Sequence, residues 1–367
     1  MAREELISSI STNELLPLLD GDDSDLYLLD VREPDEVAEW HIAGAHNIPL
    51  GSLASRLSDV PRDREIVTVC AKGTRAFEAS GVLATHGVPS RVLEGGMGAW
   101  ADTYDVVEGG FGGATVVQVR RRGKGCLSYV VGSATTAVVI DPSRDIGQYL
   151  DVAARHGWTI GHVLDTHLHA DHLSGARDLA SESGAKLWLN PADPFRFSFA
   201  PLVDGTSIEL KPGVELRVSS VSVPGHTEGS TMYQLGEHAI FTGDTLFLES
   251  VGRPDLADEA EAFAHHLYTS LHQRVLPLRD EIMVFPAHFG PSVVVHAHEF
   301  VARELGSLRH ELAALALDED DFVAWAIASV KDRPGNYKEI VRINAGEVEF
   351  DAESVDLEMG PNRCAIA

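Results

Sequence analysis

Residues 166–175 read THLHADHLSG, which crowds His167, His169, Asp171 and His172 into six positions. Three further candidate ligands follow: His226 in PGHTEG, Asp244 in TGDTLF and His288 in PAHFG. Imidazole nitrogens and carboxylate oxygens in this number are the donor set of a transition-metal site, because zinc and iron both accept mixed N and O ligands. Lone histidines are read as polar surface, and His86, His156, His238, His265, His266, His272, His296, His298 and His310 fall there. The second place for chemistry is Cys70, which opens CAKGTR with Lys72 and Arg75 close behind. Between a strand and a helix N-terminus, a thiolate or persulfide anion can be held by backbone N–H groups and the helix dipole. Lys72 and Arg75 can attract an anionic reactant to it.

Both groups need rigid elements to aim them. EIVTVC (65–70) reads as a short buried strand, with DLYLLDV (25–31) and RVL (91–93) as companions separated by helical stretches. Ser11 and Glu14 form a capping box ahead of a leucine-rich helix, and Glu33 starts the helix after DVR. Alternating strand and helix imply a small parallel α/β sheet. Strands then dominate: TVVQVR (115–120), LSYVVG (127–132), TAVVID (136–141), a helix carrying Ile146, Tyr149, Leu150 and Ala153, and HVLDT (162–166). Later strands are expected at KLWLN, ELRVSSVSV, HAIFTGD and EIMVFPAH, so His226, Asp244 and His288 also follow strands, where a scaffold can hold converging groups. Four glycines in EGGFGGAT mark a boundary: residues 1–107 form one unit, 108–114 a Gly-rich linker and 115–367 a second unit.

The chain's 367 residues suit two domains, and 44% apolar with 23% charged residues are globular values. MAREELISSI lacks the apolar block of a signal peptide and no run approaches a membrane span, so a cytoplasmic protein with no membrane partner is expected. Three cysteines, Cys70, Cys126 and Cys364, are too few for a disulfide framework. The net charge of −27, with denser patches at DGDDSD and DEDD, repels nucleic acid and excludes it as a partner.

The order H-x-H-x-D-H, PGHT, TGD, PAH resembles the metallo-β-lactamase superfamily throughout the second unit. The resemblance implies an α/β fold: a four-layer αββα sandwich with the site at its rim and a C-terminal extension. It also implies one metal position at His167, His169 and His226 and another at Asp171, His172 and His288, with Asp244 bridging. All seven are present, so a two-zinc thioester hydrolase of the glyoxalase II type is one expectation. GCLSYVVG, VIDPSRDIGQYL, FTGDTLFLESVGRPD, PGNYKEIVRIN and LEMGPNRCAI resemble, more finely, the persulfide dioxygenase branch. There a single Fe(II) is held at the positions matching His167, His226 and Asp244, leaving the opposite positions for substrate sulfur and O₂. His169, Asp171, His172 and His288 then support it. Arg253 in GRPD matches an arginine near the thiol substrate, its fork suiting a glutathione carboxylate; a structural ion pair is the other reading. Cys364 matches a cysteine near the active-site mouth, while Cys126 is read as core. Animal members have PAHDY and GRTD where this chain has PAHFG and GRPD.

LLDVREPDEVAEWHIAGAHNIPL (28–50), CAKGTR and EGGMGAW (94–100) resemble a single rhodanese domain. That implies Cys70 as the sulfur-carrying nucleophile, with Lys72 and Arg75 in its loop and Asp30 and Arg32 bracing it. Phosphatase loops of similar build place five residues between Cys and Arg. Here only Ala71, Lys72, Gly73 and Thr74 intervene, which suits sulfur transfer. The combined expectation is a bifunctional sulfur enzyme. It oxidises glutathione persulfide, or another small thiol persulfide, with O₂ to sulfite at one Fe(II) per chain, zinc being the alternative. It also moves sulfane sulfur through Cys70 between thiosulfate, sulfite and the thiol. A homo-oligomer is left open.

Overall fold

The computed structural model describes residues 6–21, 25–203, 205–211, 214–256, 259–290, 292–330, 333 and 335–366. Residues 1–5 of MAREELISSI, 22–24 of DGDDSD and 334 of PGNYKEIVRIN lie outside the described residues.

The first unit is built on an all-parallel sheet whose strands lie in the order Ile7–Ile10, Ser90–Leu93, Glu65–Val69, Leu26–Asp30, His46–Asn47. Its central strands are buried on both faces, which explains their continuous apolar sequences. Leu29 and Ile66 pack with Ala76, Ala79 and Leu83, while Leu28 and Val67 pack with Leu15, Leu16 and Trp100. Ser11 and Glu14 make the capping box that opens the helix Thr12–Leu19.

The second unit has two facing sheets. One runs Ala200–Pro201, Lys186–Leu189, Thr159–Leu164, Thr136–Ile140, Cys126–Ser133, Ala114–Arg121, Tyr104–Phe111. The other runs Ser207–Lys211, Val214–Ser222, Thr231–Leu235, Ala239–Gly243, Met283–Pro286, Arg303–Glu304. Period-two alternation sorts their side chains. Val116, Tyr129, Val131, Val138 and Ile140 meet Phe241 and Phe285 between the sheets, whereas Val117, Val119, Val130 and Val139 pack outward against Tyr149, Val152 and Leu179 of two helices. On the far side the helices Ala260–Ser270, Leu305–Glu311 and Glu319–Ala328 complete four layers.

The glycine-rich stretch 108–114 is not the linker expected. Tyr104–Phe111 is a strand paired antiparallel with Ala114–Arg121 along its whole length, and Gly112 and Gly113, at φ +57° and +86°, make the turn. Glycines that read as flexible serve a tight hairpin instead. Only Asp102 and Thr103 separate this strand from the helix Gly96–Ala101, so the first unit passes directly into the second sheet. Side chains reinforce the seam. Arg121 donates to Ala101 O (2.8 Å), Asp102 Oδ1 (2.7 Å) and Glu358 Oε2 (2.9 Å), Arg122 pairs with Asp20 and Asp105, and Trp40 Nε1 donates to Gly123 O (2.9 Å). The C-terminal segment returns to the site, where Ala365–Ile366 pairs with Val251–Gly252.

Candidate functional site

The histidine loop leaves the strand Thr159–Leu164 and is gripped by side chains from remote parts of the chain. Asp141, a non-glycine residue at φ +52°, accepts from Thr166 N (2.6 Å) and Thr166 Oγ1 (2.9 Å). Such a conformation costs free energy, and here it aims a carboxylate at the loop. Asp193 accepts from Leu168 N (2.8 Å) and Gly229 N (2.9 Å), tying the loop to the PGHTEG turn. Asn344 Nδ2 donates to the carbonyls of His169 (2.9 Å) and His172 (2.8 Å), and Glu358 Oε1 accepts from Leu173 N (2.5 Å).

His167, His226 and Asp244 converge: His167 Nε2 and His226 Nε2 lie 3.5 and 3.4 Å from Asp244 Oδ2. Their outer atoms are already engaged. His167 Nδ1 donates to Thr166 Oγ1 (2.9 Å), whose own proton goes to Asp141, and His226 Nδ1 donates to Arg253 O (3.0 Å). Asp244 Oδ1 accepts from His288 Nδ1 (2.6 Å). These partners leave a lone pair on each Nε2. The three inward atoms are buried and have no hydrogen-bond partner. Two lone pairs and a carboxylate oxygen facing one another are unsatisfied until a cation sits among them, so these residues fit a metal ion. Burial holds His167 and His226 below the usual imidazole range. Burial works against the Asp244 carboxylate, but His288 and His167 outweigh it and hold the group ionised. Each residue is therefore in the protonation state of a ligand.

His169 does not join them. Its Nε2 lies 3.3 Å from Asp141 Oδ1 and 3.8 Å from Asp165 Oδ1. Asp171, His172 and His288 form a chain that ends on Asp244. His172 Nδ1 is 3.0 Å from Asp171 Oδ1, and His288 Nε2 is 2.9 Å from Asp171 Oδ2. Burial opposes charge on His172, yet Asp171 raises it to about 9. Cys126, expected as core, is buried but stands in this group, its Sγ 3.7 Å from Asp171 Oδ2. Burial pushes its thiol up, and the charges of His172 and His288 outweigh that and bring it to about 7. Cys126 opens a strand, whereas the other site residues follow strands, so the pattern that located them passed over it.

Arg253 sits in the structural ion pair. It is buried, bidentate to Asp255 (2.7 and 2.9 Å), and its Nη1 and backbone N–H donate to Arg363 O (3.1 Å) and Cys364 O (2.9 Å). It thus fixes the C-terminal segment. The Cys364 thiol is buried against the centre, within 4.8 Å of ligand atoms of Asp244 and His288.

At Cys70 the positioning comes from the main chain. The buried Sγ accepts from Gly73 N (3.1 Å) and Ala76 N (3.3 Å), at the start of the helix Thr74–Thr85. EGGMGAW closes beneath: Met97 N donates to Cys70 O (2.8 Å), and a Cβ on Gly96 would lie 2.1 Å from that oxygen, so only glycine fits. Arg75 is turned to Glu36, in a bidentate pair of 2.6 and 2.7 Å that holds the Glu36 carboxyl at about 2, and Lys72 is exposed on the loop. Asp30 and Arg32 form a buried pair (2.7 Å), and Arg32 Nη2 also donates to Trp40 O (2.7 Å).

Comparison with known proteins follows this division. Residues 11–103 match the rhodanese-like domain family, and residues 121–288 match the metallo-beta-lactamase superfamily. A hydroxyacylglutathione hydrolase of Methylococcus capsulatus is 36% identical over 168 residues, 44% of this chain and 60% of that protein. The mitochondrial persulfide dioxygenase ETHE1 of Bos taurus is 30% identical over 172 residues, 45% of this chain and 65% of that protein. The chain thus spans about three fifths of the length of each. The crystal structure of ETHE1 from Myxococcus xanthus superposes with a TM-score of 0.56 at 24% identity, covering 63% of this chain and 97% of that one, a likeness of fold. Among the described residues no helix is long and apolar enough to cross a membrane. The chain is therefore a rhodanese domain fused to a metallo-β-lactamase-fold domain.

Proposed function

We propose that this chain is a bifunctional enzyme of sulfur metabolism: its second domain oxidises a thiol persulfide with O₂ to sulfite, and its first carries sulfane sulfur on Cys70. The observation that supports the first half is the orientation of His169. With His169 paired to Asp141 and Asp165, the inward donors reduce to His167, His226 and Asp244, two imidazoles and one carboxylate, the set of a mononuclear non-haem Fe(II) site. One Fe(II) bound there would supply coordination of the persulfide sulfur and activation of O₂. Around it, Thr166 and the Arg253 carbonyl fix the two rings, His288 fixes Asp244, and burial excludes bulk water. The overall change balances as R–S–SH + O₂ + H₂O → R–SH + SO₃²⁻ + 2 H⁺, with glutathione as the favoured R–SH. Likeness to the bovine persulfide dioxygenase supports this substrate class.

In the first domain the Cys70 thiolate attacks the outer sulfur of thiosulfate. The S–S bond of thiosulfate breaks, sulfite leaves with the electron pair, and Cys70 is left as a persulfide. The N–H groups of Gly73 and Ala76 donate to Cys70 Sγ and hold the charge of the attacking thiolate, and Lys72 attracts the incoming dianion. Sulfite made in one domain is an acceptor in the other. All three cysteines are unpaired, in keeping with a cytoplasmic location.

A two-zinc thioester hydrolase joined to a sulfurtransferase is the second reading, favoured by the further donors Asp171, His172 and His288 and by likeness to hydroxyacylglutathione hydrolase. Oxygen consumption on adding glutathione persulfide to anaerobically purified protein, with metal content read on the same sample, decides between them. About one iron per chain with prompt oxygen uptake is expected. About two zinc ions, no uptake and cleavage of a glutathione thioester would replace the dioxygenase with the hydrolase.

A further inference from the structure

Arg75 closes the Cys70 loop, yet its guanidinium is taken up by a carboxylate from another element. Nη1 donates to Glu36 Oε2 (2.6 Å) and Nη2 to Glu36 Oε1 (2.7 Å), and the two side chains are 33% and 34% exposed. Glu36 is fixed independently of this pair. It lies in the first turn of the helix Pro34–Glu39, where Pro34 starts the turn and Oε2 also accepts from Glu33 N (3.1 Å), half of a capping box. Arg32, paired with buried Asp30, donates to the carbonyls of Glu36 (3.4 Å) and Trp40 (2.7 Å) and so pins the same helix. Arg75 meets a carboxylate already in place. The pairing brings that carboxyl to about 2 against the opposing effect of burial, so it is ionised at neutral pH.

The main-chain amides of Gly73 and Ala76 meet the Cys70 sulfur whatever molecule approaches it, so discrimination between donors of different charge falls to side chains. Asp30 and Arg32 form a neutral buried pair, and Lys72 is exposed on the loop. Arg75 is the other cation of that loop. Glu36 does most to hold its guanidinium protonated, burial opposes this, and the charges of Cys70 and Asp30 add to it, which places Arg75 within electrostatic reach of the thiolate. A bidentate carboxylate fills the fork that a sulfonate group would otherwise take. Thiosulfate carries two charges and leaves sulfite with two, whereas the similarly shaped methanethiosulfonate carries one and leaves methanesulfinate with one. The neutral pair offers neither leaving group a second cation beside Lys72.

We propose that Glu36 sets the charge preference of the Cys70 site: by neutralising Arg75 it holds down the advantage of a dianionic reactant such as thiosulfate over a monoanionic sulfane-sulfur donor. The inference rests on the reading of Cys70 as the sulfur carrier. Glu36 acts through Arg75 and is a positioning residue. The chemical step is the same for both donors. The Cys70 thiolate attacks the sulfane sulfur, the S–S bond of the donor breaks, and sulfite or sulfinate leaves with the electron pair. Cyanide then takes the outer sulfur of the Cys70 persulfide as thiocyanate and restores the thiolate.

The test compares thiosulfate with methanethiosulfonate on one preparation of the full chain, as kcat/KM for thiocyanate formation at saturating cyanide. Any loss of folded protein cancels in the ratio of the two donors. Glu36→Gln keeps the shape and the acceptor for Glu33 N while removing the charge. It should raise the ratio by about 2–5-fold, chiefly through the KM of thiosulfate, and the rise should shrink at high salt. Adding Arg75→Gln makes the pair neutral again and should return the ratio to the wild-type value, as Glu36→Asp alone should. A Glu36 that only braced the helix would change both donors alike. An unchanged ratio in Glu36→Gln overturns the proposal, and so does a raised ratio that survives Arg75→Gln. Failure of the sulfurtransfer reading shows separately, as a wild type that forms thiocyanate from neither donor. Alkylation of Cys70, read by mass spectrometry of its peptide, then decides the role of Glu36: Glu36→Gln should raise the rate with anionic iodoacetate over that with neutral iodoacetamide by a similar factor, and an equal ratio in both proteins overturns it.

Discussion

At Cys70 the groups that meet a negative sulfur are main-chain amides, those of Gly73 and Ala76, with the loop closed from below by Met97 and Gly98. At the histidine centre they are side chains, and three inward atoms of His167, His226 and Asp244 remain without partners. An unsatisfied buried polar group costs about 1–3 kcal/mol. The first site is therefore complete once the chain folds, whereas the second stores unsatisfied polarity that a cation relieves. Metal should stabilise the second domain by mass action and leave the first untouched.

The sharpest way to break this contrast is to remove one key atom from each site. Cys70→Ser should abolish thiosulfate sulfurtransfer and spare persulfide-dependent oxygen uptake; loss of both activities in that variant would mean that the domains are chemically coupled. Asp244→Ala leaves two imidazoles. It should release iron and lower oxygen uptake by more than about 100-fold, beyond the range for outer-shell partners, with sulfurtransfer intact. Full iron retention, read by metal analysis, would show the ligand assignment to be wrong. His288→Asn removes the imidazole that orients Asp244, along with its contact to Asp171, and should weaken iron binding by about 10–100-fold, in a titration with ferrous ion under anaerobic conditions. An unchanged affinity would mean that Asp244 orients itself.

A smaller effect concerns Glu358, which holds the histidine loop through Leu173 N while paired with Arg121 and Arg144. Burial raises its carboxyl, but Arg121 and the Leu173 amide outweigh that and bring it to about 2. Because its folded value lies below the ordinary carboxylate value, its stabilisation is complete above the ordinary value and is lost as pH falls toward about 2. Glu358→Gln should cost about 3 kcal/mol at neutral pH and flatten the acid limb of stability in that window, read by urea denaturation across pH. An unaltered acid limb would show that Glu358 does not carry this linkage.

Much of this was readable in the residues. Strands announced themselves by apolar runs and alternation, and seven candidate ligands by their place in or just after strand-end motifs, whereas the choice of His167, His226 and Asp244 among them came from the resemblance to the persulfide dioxygenase branch. Other features depend on partners far along the chain. His169 is turned by Asp141, and the loop's carbonyls are held by Asn344 more than 170 positions away, relations that no local spacing encodes. Gly109, Gly110, Gly112 and Gly113 misled because a hairpin turn and a flexible linker have the same composition. Cys126 was hidden because burial is the ordinary fate of a cysteine, and only three-dimensional proximity to Asp171 distinguishes it.

The mildest perturbation tests whether the Cys70 loop is as self-contained as its main-chain bonding implies. Trp40 Nε1 donates to Gly123 O across the seam, and Gly123 packs so closely that a Cβ there would lie 2.0 Å from Trp100 O. Trp40→Phe keeps the Trp40 carbonyl that receives Arg32 and removes only the indole donor and part of the ring. One lost hydrogen bond at a partly wet boundary is worth about 1 kcal/mol, so thermal unfolding should move down by a few degrees, on the order expected for a domain of this size. Sulfurtransfer should stay at the wild-type level, because the Gly73 and Ala76 amides and the Gly96 contact all lie within the first domain. A fall in sulfurtransfer larger than the loss of folded protein would mean that the loop is shaped from across the seam. The distinction between a site finished by its own backbone and one finished by a cation would then need a third partner, the neighbouring domain.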